Sequence, residues 1–131
     1  MTMAPMMRSF LLACSLCLAA TAHAQSPADY AGAKQRADAD EASLPPADAS
    51  AMRQAQGVVL EAAIAGCATP TPDTSPFVVV AELDATGKVV RTWREGGTPL
   101  AICVQKRING NTLAAPPRAP FFTSFELSFT Q

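Results

Sequence analysis

The side chains able to do chemistry are few, and most of them sit at one end of the chain. Cysteines stand at positions 14, 17, 67 and 103, and the single histidine is His23. Cys14, Cys17 and His23 all fall in residues 1–24, so the fate of that segment decides what chemistry remains. It reads as a secretory signal. Arg8 is its only charge, the apolar run Phe10–Ala20 follows, and Ala22-His23-Ala24 closes it with the small-x-small pattern of a peptidase site. The run is shorter than the roughly 20 apolar residues that cross a bilayer. Polar Gln25-Ser26-Pro27 comes directly after it. Cleavage after Ala24 is therefore expected, with a periplasmic location and no stable membrane anchor afterwards. An uncleaved anchor, or lipidation at Cys14 or Cys17, is the alternative.

What survives cleavage is poor material for an enzyme. Without histidine, Ser-His-Asp and Cys-His arrangements are excluded. Cys67 and Cys103 with carboxylates are a weak donor set for zinc. Gly96-Gly97 lacks the Lys-Ser/Thr of a phosphate loop. No metal and no cofactor is expected. Glu82 and Glu126 could face each other across a sheet as paired carboxylates, and a small hydrolase is a third reading on that ground. A solvated sheet face explains both residues more simply, so no catalytic residue is expected. The chain has ten basic and eleven acidic side chains, and loss of Arg8 leaves nine against eleven. A net charge of −2 by that arithmetic excludes nucleic acid as a partner.

Cys67 and Cys103 have another use. Two cysteines in an exported chain are expected to pair. Closing a loop of about 36 residues would stabilise the fold by roughly 3–4 kcal/mol. That is a large share of the ~5–10 kcal/mol typical of a small domain. Two buried free thiols are the alternative.

The elements that must position these residues follow from periodicity. Residues 25–47 are Ala-rich and polar, with too few large apolar groups to order firmly. They read as a flexible lead with at most a frayed helix around 28–42. In the domain at 48–131, Met52, Ala55, Val59, Ala63, Ile64 and Cys67 form one helical stripe. Pro46 suits its first turn, Asp48 or Ser50 could cap it, and Gly66 stops it. Phe77–Leu83 is a nearly all-apolar strand. Asp84-Ala85-Thr86-Gly87 is a turn, and Lys88–Arg94 returns as a hairpin, its inward face left open between Val89 and Val90 by a bulge at Gly87. Thr98-Pro99 starts a second helix through Asn109 with Leu100, Cys103, Val104 and Ile108 on its inner face. Phe121, Thr123, Phe125, Leu127 and Phe129 then alternate with Phe122, Ser124, Glu126, Ser128 and Thr130, so one face is buried and the other wet. The order α-β-β-α-β gives an α+β fold with a three-stranded antiparallel/mixed sheet in order 2-1-3 and two helices on one face.

The stretch from Phe77 to Thr130 resembles the periplasmic C-terminal domain of the TonB and TolA energy transducers and their stand-alone relatives. The features carrying this are the apolar strand ending in Asp84-Ala85-Thr86-Gly87-Lys88-Val89, Glu95-Gly96-Gly97 with Pro99, Cys103 in the next helix, Pro116-Pro117 and the alternating aromatic last strand. Those transducers have an uncleaved membrane helix and a long spacer. This chain, with a cleavable signal and a short lead, would be a soluble relative.

The resemblance implies recognition of an envelope protein or peptide segment by strand addition at the last strand. Physically, an edge strand leaves main-chain groups that an extended segment can satisfy. Phe122, Ser124, Glu126 and Ser128 would form the contact, with Trp93 as an anchor on the open sheet face. Covering of that edge by the lead, or by a second copy in a homodimer, is the alternative use of the same groups. An exported inhibitor or immunity-type protein, blocking an enzyme of its compartment, is the second functional class. Intact-mass measurement of chain recovered from its producing cells should show a species starting at Gln25 and lighter by two hydrogens than the reduced form.

Overall fold

The computed structural model describes residues 26–130. The signal segment expected at 1–24 lies outside the described residues. The elements are α1 (Tyr30–Ala42), α2 (Pro46–Cys67), β1 (Phe77–Leu83), β2 (Val89–Glu95), α3 (Pro99–Ile108) and β3 (Phe121–Leu127). The sheet runs β2-β1-β3, with both outer strands antiparallel to β1. β2 and β3 are therefore parallel to each other, and α3 makes the crossover between them. The α+β class, the 2-1-3 order and the α2/α3 face stand as expected.

Local chemistry explains several boundaries, although α2 runs through Gly66, which was expected to stop it, to Cys67. Pro46 opens α2, and α2 begins without a side-chain cap, so neither Asp48 nor Ser50 fills that role. Thr98 caps α3 by accepting from the Ala101 N–H at 3.1 Å. In the hairpin turn, Asp84 Oδ1 accepts from the Thr86 and Lys88 N–H groups and the Thr86 hydroxyl, which holds its carboxyl below the usual range. Gly87 takes φ +87° with its Cα packed against the Leu113 and Ala114 carbonyls, space that no Cβ could share. The bulge falls further along than expected. Leu83 pairs with Val89 and Glu82 with Arg91, so Val90 is the extra residue. Val89 is consequently buried and Val90 exposed.

The main core lies on the α2/α3 side of the sheet. Met52, Val59 and Ala63 of α2 and Leu100, Val104 and Ile108 of α3 meet Val79, Ala81, Phe121 and Phe125. The Cys67–Cys103 disulfide ties the end of α2 to α3, with Cα atoms 5.8 Å apart. Among the described residues no helix is long and apolar enough to cross a membrane.

One expectation is overturned. Residues 25–47 hold a thirteen-residue helix, α1, docked on the opposite face of the sheet, rather than a flexible lead. Asp29 caps it through the Gly32 N–H at 2.9 Å. Tyr30, Ala33 and Ala37 share one stripe, and they pack on Val78, Val80, Trp93 and Phe122. Alanine lets the helix axis approach the sheet closely, so large aromatic groups on the sheet supply the volume that the helix lacks. The molecule is therefore three layers, with helices on both faces.

The disulfide should carry a measurable share of stability. A Cys67→Ser/Cys103→Ser double variant is expected to lose about 3 kcal/mol in urea unfolding. Wild type unfolded with a reductant should show the same loss.

A covered strand edge as the candidate functional site

β3 is an edge strand. In antiparallel pairing its residues alternate between turning their main-chain groups toward β1 and away from it. Thr123, opposite Ala81, turns inward, and Phe122 and Ser124 turn outward. Those outward groups are the ones an added strand would use.

They are already occupied. The Phe122 N–H donates to Asp40 Oδ2 at 2.9 Å, and the Ser124 N–H donates to Glu41 Oε1 at 2.7 Å. Gln56 Nε2 of α2 donates to the Ser124 carbonyl at 3.1 Å and to Thr123 Oγ1 at 2.6 Å. Thr123 Oγ1 in turn donates to Glu41 Oε1 at 2.6 Å. Thr123 is the fully buried polar side chain among the described residues, and this network satisfies it. The last turn of α1 and one residue of α2 thus close the edge from its two sides. An edge-to-edge homodimer would have to displace the same bonds.

Charge reinforces the closure. Arg118, just ahead of β3, donates from Nη2 to Asp40 Oδ1 and to Ser43 Oγ, each at 2.8 Å. Asp40 therefore bridges a strand amide and a guanidinium. Lys34 Nζ contacts Asp38 at 2.5 Å and Glu126 at 2.8 Å. The Asp38 bond first, and the Glu126 bond second, hold its ammonium above the usual lysine range. The Arg36 guanidinium lies 4.2 Å from the centre of the Phe122 ring.

Beside the edge lies a cleft of about 310 Å³ between the end of α1 and α2. Leu44, Met52, Arg53 and Gln56 line one side, and Thr123, Ser124 and Glu126 line the strand side. Arg53 is exposed and makes no ion pair among the described residues.

The residues expected to bind a partner divide accordingly. Phe122 and Trp93, expected on the wet face, are buried beneath α1 with ring centroids 5.8 Å apart. Ser124 is half-buried and hydrogen-bonded, Glu126 is exposed and ion-paired, and Ser128 is exposed beyond the strand's end. They do not form one open surface. Glu82 and Glu126 share a sheet face but are not a pair. Glu82 lies opposite Phe122 and Glu126 opposite Val78, four positions along β1. That is roughly 13 Å at a strand's rise per residue, beyond the spacing of paired catalytic carboxylates. Among the described residues no cluster of three or more His, Cys, Asp or Glu could hold a metal ion.

Sequence reasoning missed Asp40, Glu41, Gln56 and Arg118. Adjacent acids at the end of a polar helix look like solvated charge. The available signal was the Tyr30-Ala33-Ala37 stripe at helical spacing, which marks a docking face built from small residues. No protein-family profile, no curated protein and no solved structure matches the chain.

Thr123→Val keeps the shape and removes the hydroxyl that links Gln56 to Glu41. It should destabilise by about 1–3 kcal/mol, because buried partners are left unmatched. Ser128→Ala, measured alongside by chemical denaturation, should change little.

Proposed function

We propose that this protein is an exported, periplasmic interaction module of the TonB/TolA C-terminal type, which binds an extended segment of an envelope protein by adding it as a strand to β3. One observation carries the reading. The outward N–H groups of Phe122 and Ser124 are held by two carboxylates, and the Ser124 carbonyl by one carboxamide, instead of by another strand, beside an open cleft. Side-chain ligands on a strand edge are exchangeable for the carbonyls and amides of a peptide. The α2/α3 core on the other face needs no rearrangement for that exchange. The disulfide supports an oxidising compartment, and the leader pattern supports export.

A second reading is an exported inhibitor-type protein. The occupied edge favours it, since a closed edge leaves preformed loops and helix surfaces as the contact. Co-purification of an enzyme from the same compartment, inhibited by the mature domain, would distinguish it.

Ser124→Pro tests the first reading. Its N–H faces away from β1, so proline removes an outward donor and spares the β1–β3 ladder. Mature wild type used as bait in periplasmic extract should retain a specific protein that Ser124→Pro loses. Equal capture by both would remove strand addition.

A further inference from the structure

The grip of α1 on the sheet has an unusual make-up. Its fully buried side chains are Ala33 and Ala37, while the sheet contributes Val80, Trp93 and Phe122. The apolar surface at stake is therefore mostly the sheet's, which stays buried only while the helix rests on it. The specific bonds are instead polar and come from its last turn, where Asp40 and Glu41 occupy the β3 edge. Only residues 43–45 separate α1 from α2, and α1 has no extensive contact with either other helix. The helix is thus a distinct unit that rests on the sheet and places carboxylate oxygens where an added strand would place carbonyl oxygens.

We infer that α1 is a built-in cover that mimics the partner, and that the partner is an extended segment carrying acidic side chains. This rests on the strand-addition reading and deepens it. The charge argument follows from what remains when α1 lifts. Arg118 loses Asp40, its only ion-pair partner among the described residues. Arg53 already stands unpaired in the cleft. Two cations then flank the part of the edge around Phe122 and Ser124. An incoming strand with carboxylates at those positions restores the Arg118 pair, and a basic one opposes both arginines. Lifting α1 also releases Glu126 from Lys34, and Glu126 lines the cleft together with Arg53, so the preference concerns the Arg118 half of the segment, facing Phe122.

The test uses the mature chain, residues 25–131, as wild type and as Asp40→Ala/Glu41→Ala. Alanine keeps the helix and deletes both carboxylates. The probes are two octapeptides, one alternating Val and Asp, the other Val and Lys. The readouts are hydrogen exchange and NMR shifts at the Phe122 and Ser124 amides. In the double variant both amides should exchange at least about tenfold faster, as expected for loss of a charge-assisted bond. The Val-Asp peptide should bind the variant at least about tenfold tighter than wild type and shift both amides. The Val-Lys peptide should bind at least about tenfold more weakly than Val-Asp.

Unchanged exchange, or equal Val-Asp affinity for both proteins, would overturn the cover and leave strand addition standing. Equal binding of Val-Lys would overturn the acidic partner. Faster exchange with neither peptide shifting the two amides would instead overturn strand addition itself, and the partner inference with it. If the double variant loses its dispersed sheet amides, Asp40→Ala alone supports the same comparison at Phe122.

Discussion

An edge strand packed between helices has amides that water reaches poorly and no neighbouring strand to receive them. A buried amide left unsatisfied costs about 1–3 kcal/mol, so something must accept the Phe122 and Ser124 N–H groups. In this protein the last turn of α1 does so with Asp40 and Glu41. Much of the structure follows from that requirement. It sets the height at which α1 lies on the sheet and brings Tyr30, Ala33 and Ala37 over Trp93 and Phe122. It also gives Arg118 a carboxylate to pair with, and with Gln56 it allows the Thr123 hydroxyl to be buried in the middle of a strand.

The two faces of the sheet are held by different physics. On the α2/α3 side the contact is branched and aromatic side chains, locked by a covalent bond between Cys67 and Cys103. Burial of that kind scales with area, and nothing in water replaces it. On the α1 side the helix sets alanines over Val80, Trp93 and Phe122 of the sheet, and its specific contacts are charge-assisted hydrogen bonds whose partners another chain can also supply. Local stability should therefore be graded, with α1 and the β3 edge opening at lower cost than the core beneath them.

Most of the scaffold was legible in the sequence because it obeys short-range rules. The stripe Met52, Val59, Ala63, the unbroken apolar run of β1, the Asp84–Gly87 turn and the Thr98-Pro99 cap each encode an element in residues close together in the chain. The first helix was read only as a frayed one around 28–42, and its docking was not legible, since its docking face is alanine and its meaning lies in what stands opposite. The wet face of β3 was misjudged for the same reason. Phe122 alternates with Thr123 in the way a solvent-facing residue would, and only a helix arriving from about eighty positions earlier buries it.

The candidate site marks the same boundary. By itself the sequence determined that β3 is a strand with one apolar face, that it ends the topology at an edge, and that Cys67 and Cys103 lie on two core-facing stripes. Those are consequences of periodicity and chain order. Only the tertiary structure decided that the edge is filled from within, that Trp93 and Phe122 are buried, and that Glu82 and Glu126 stand apart. Each depends on which distant residues share a location. The bonds from Asp40 and Glu41 to a strand more than eighty residues away leave no local pattern in either segment.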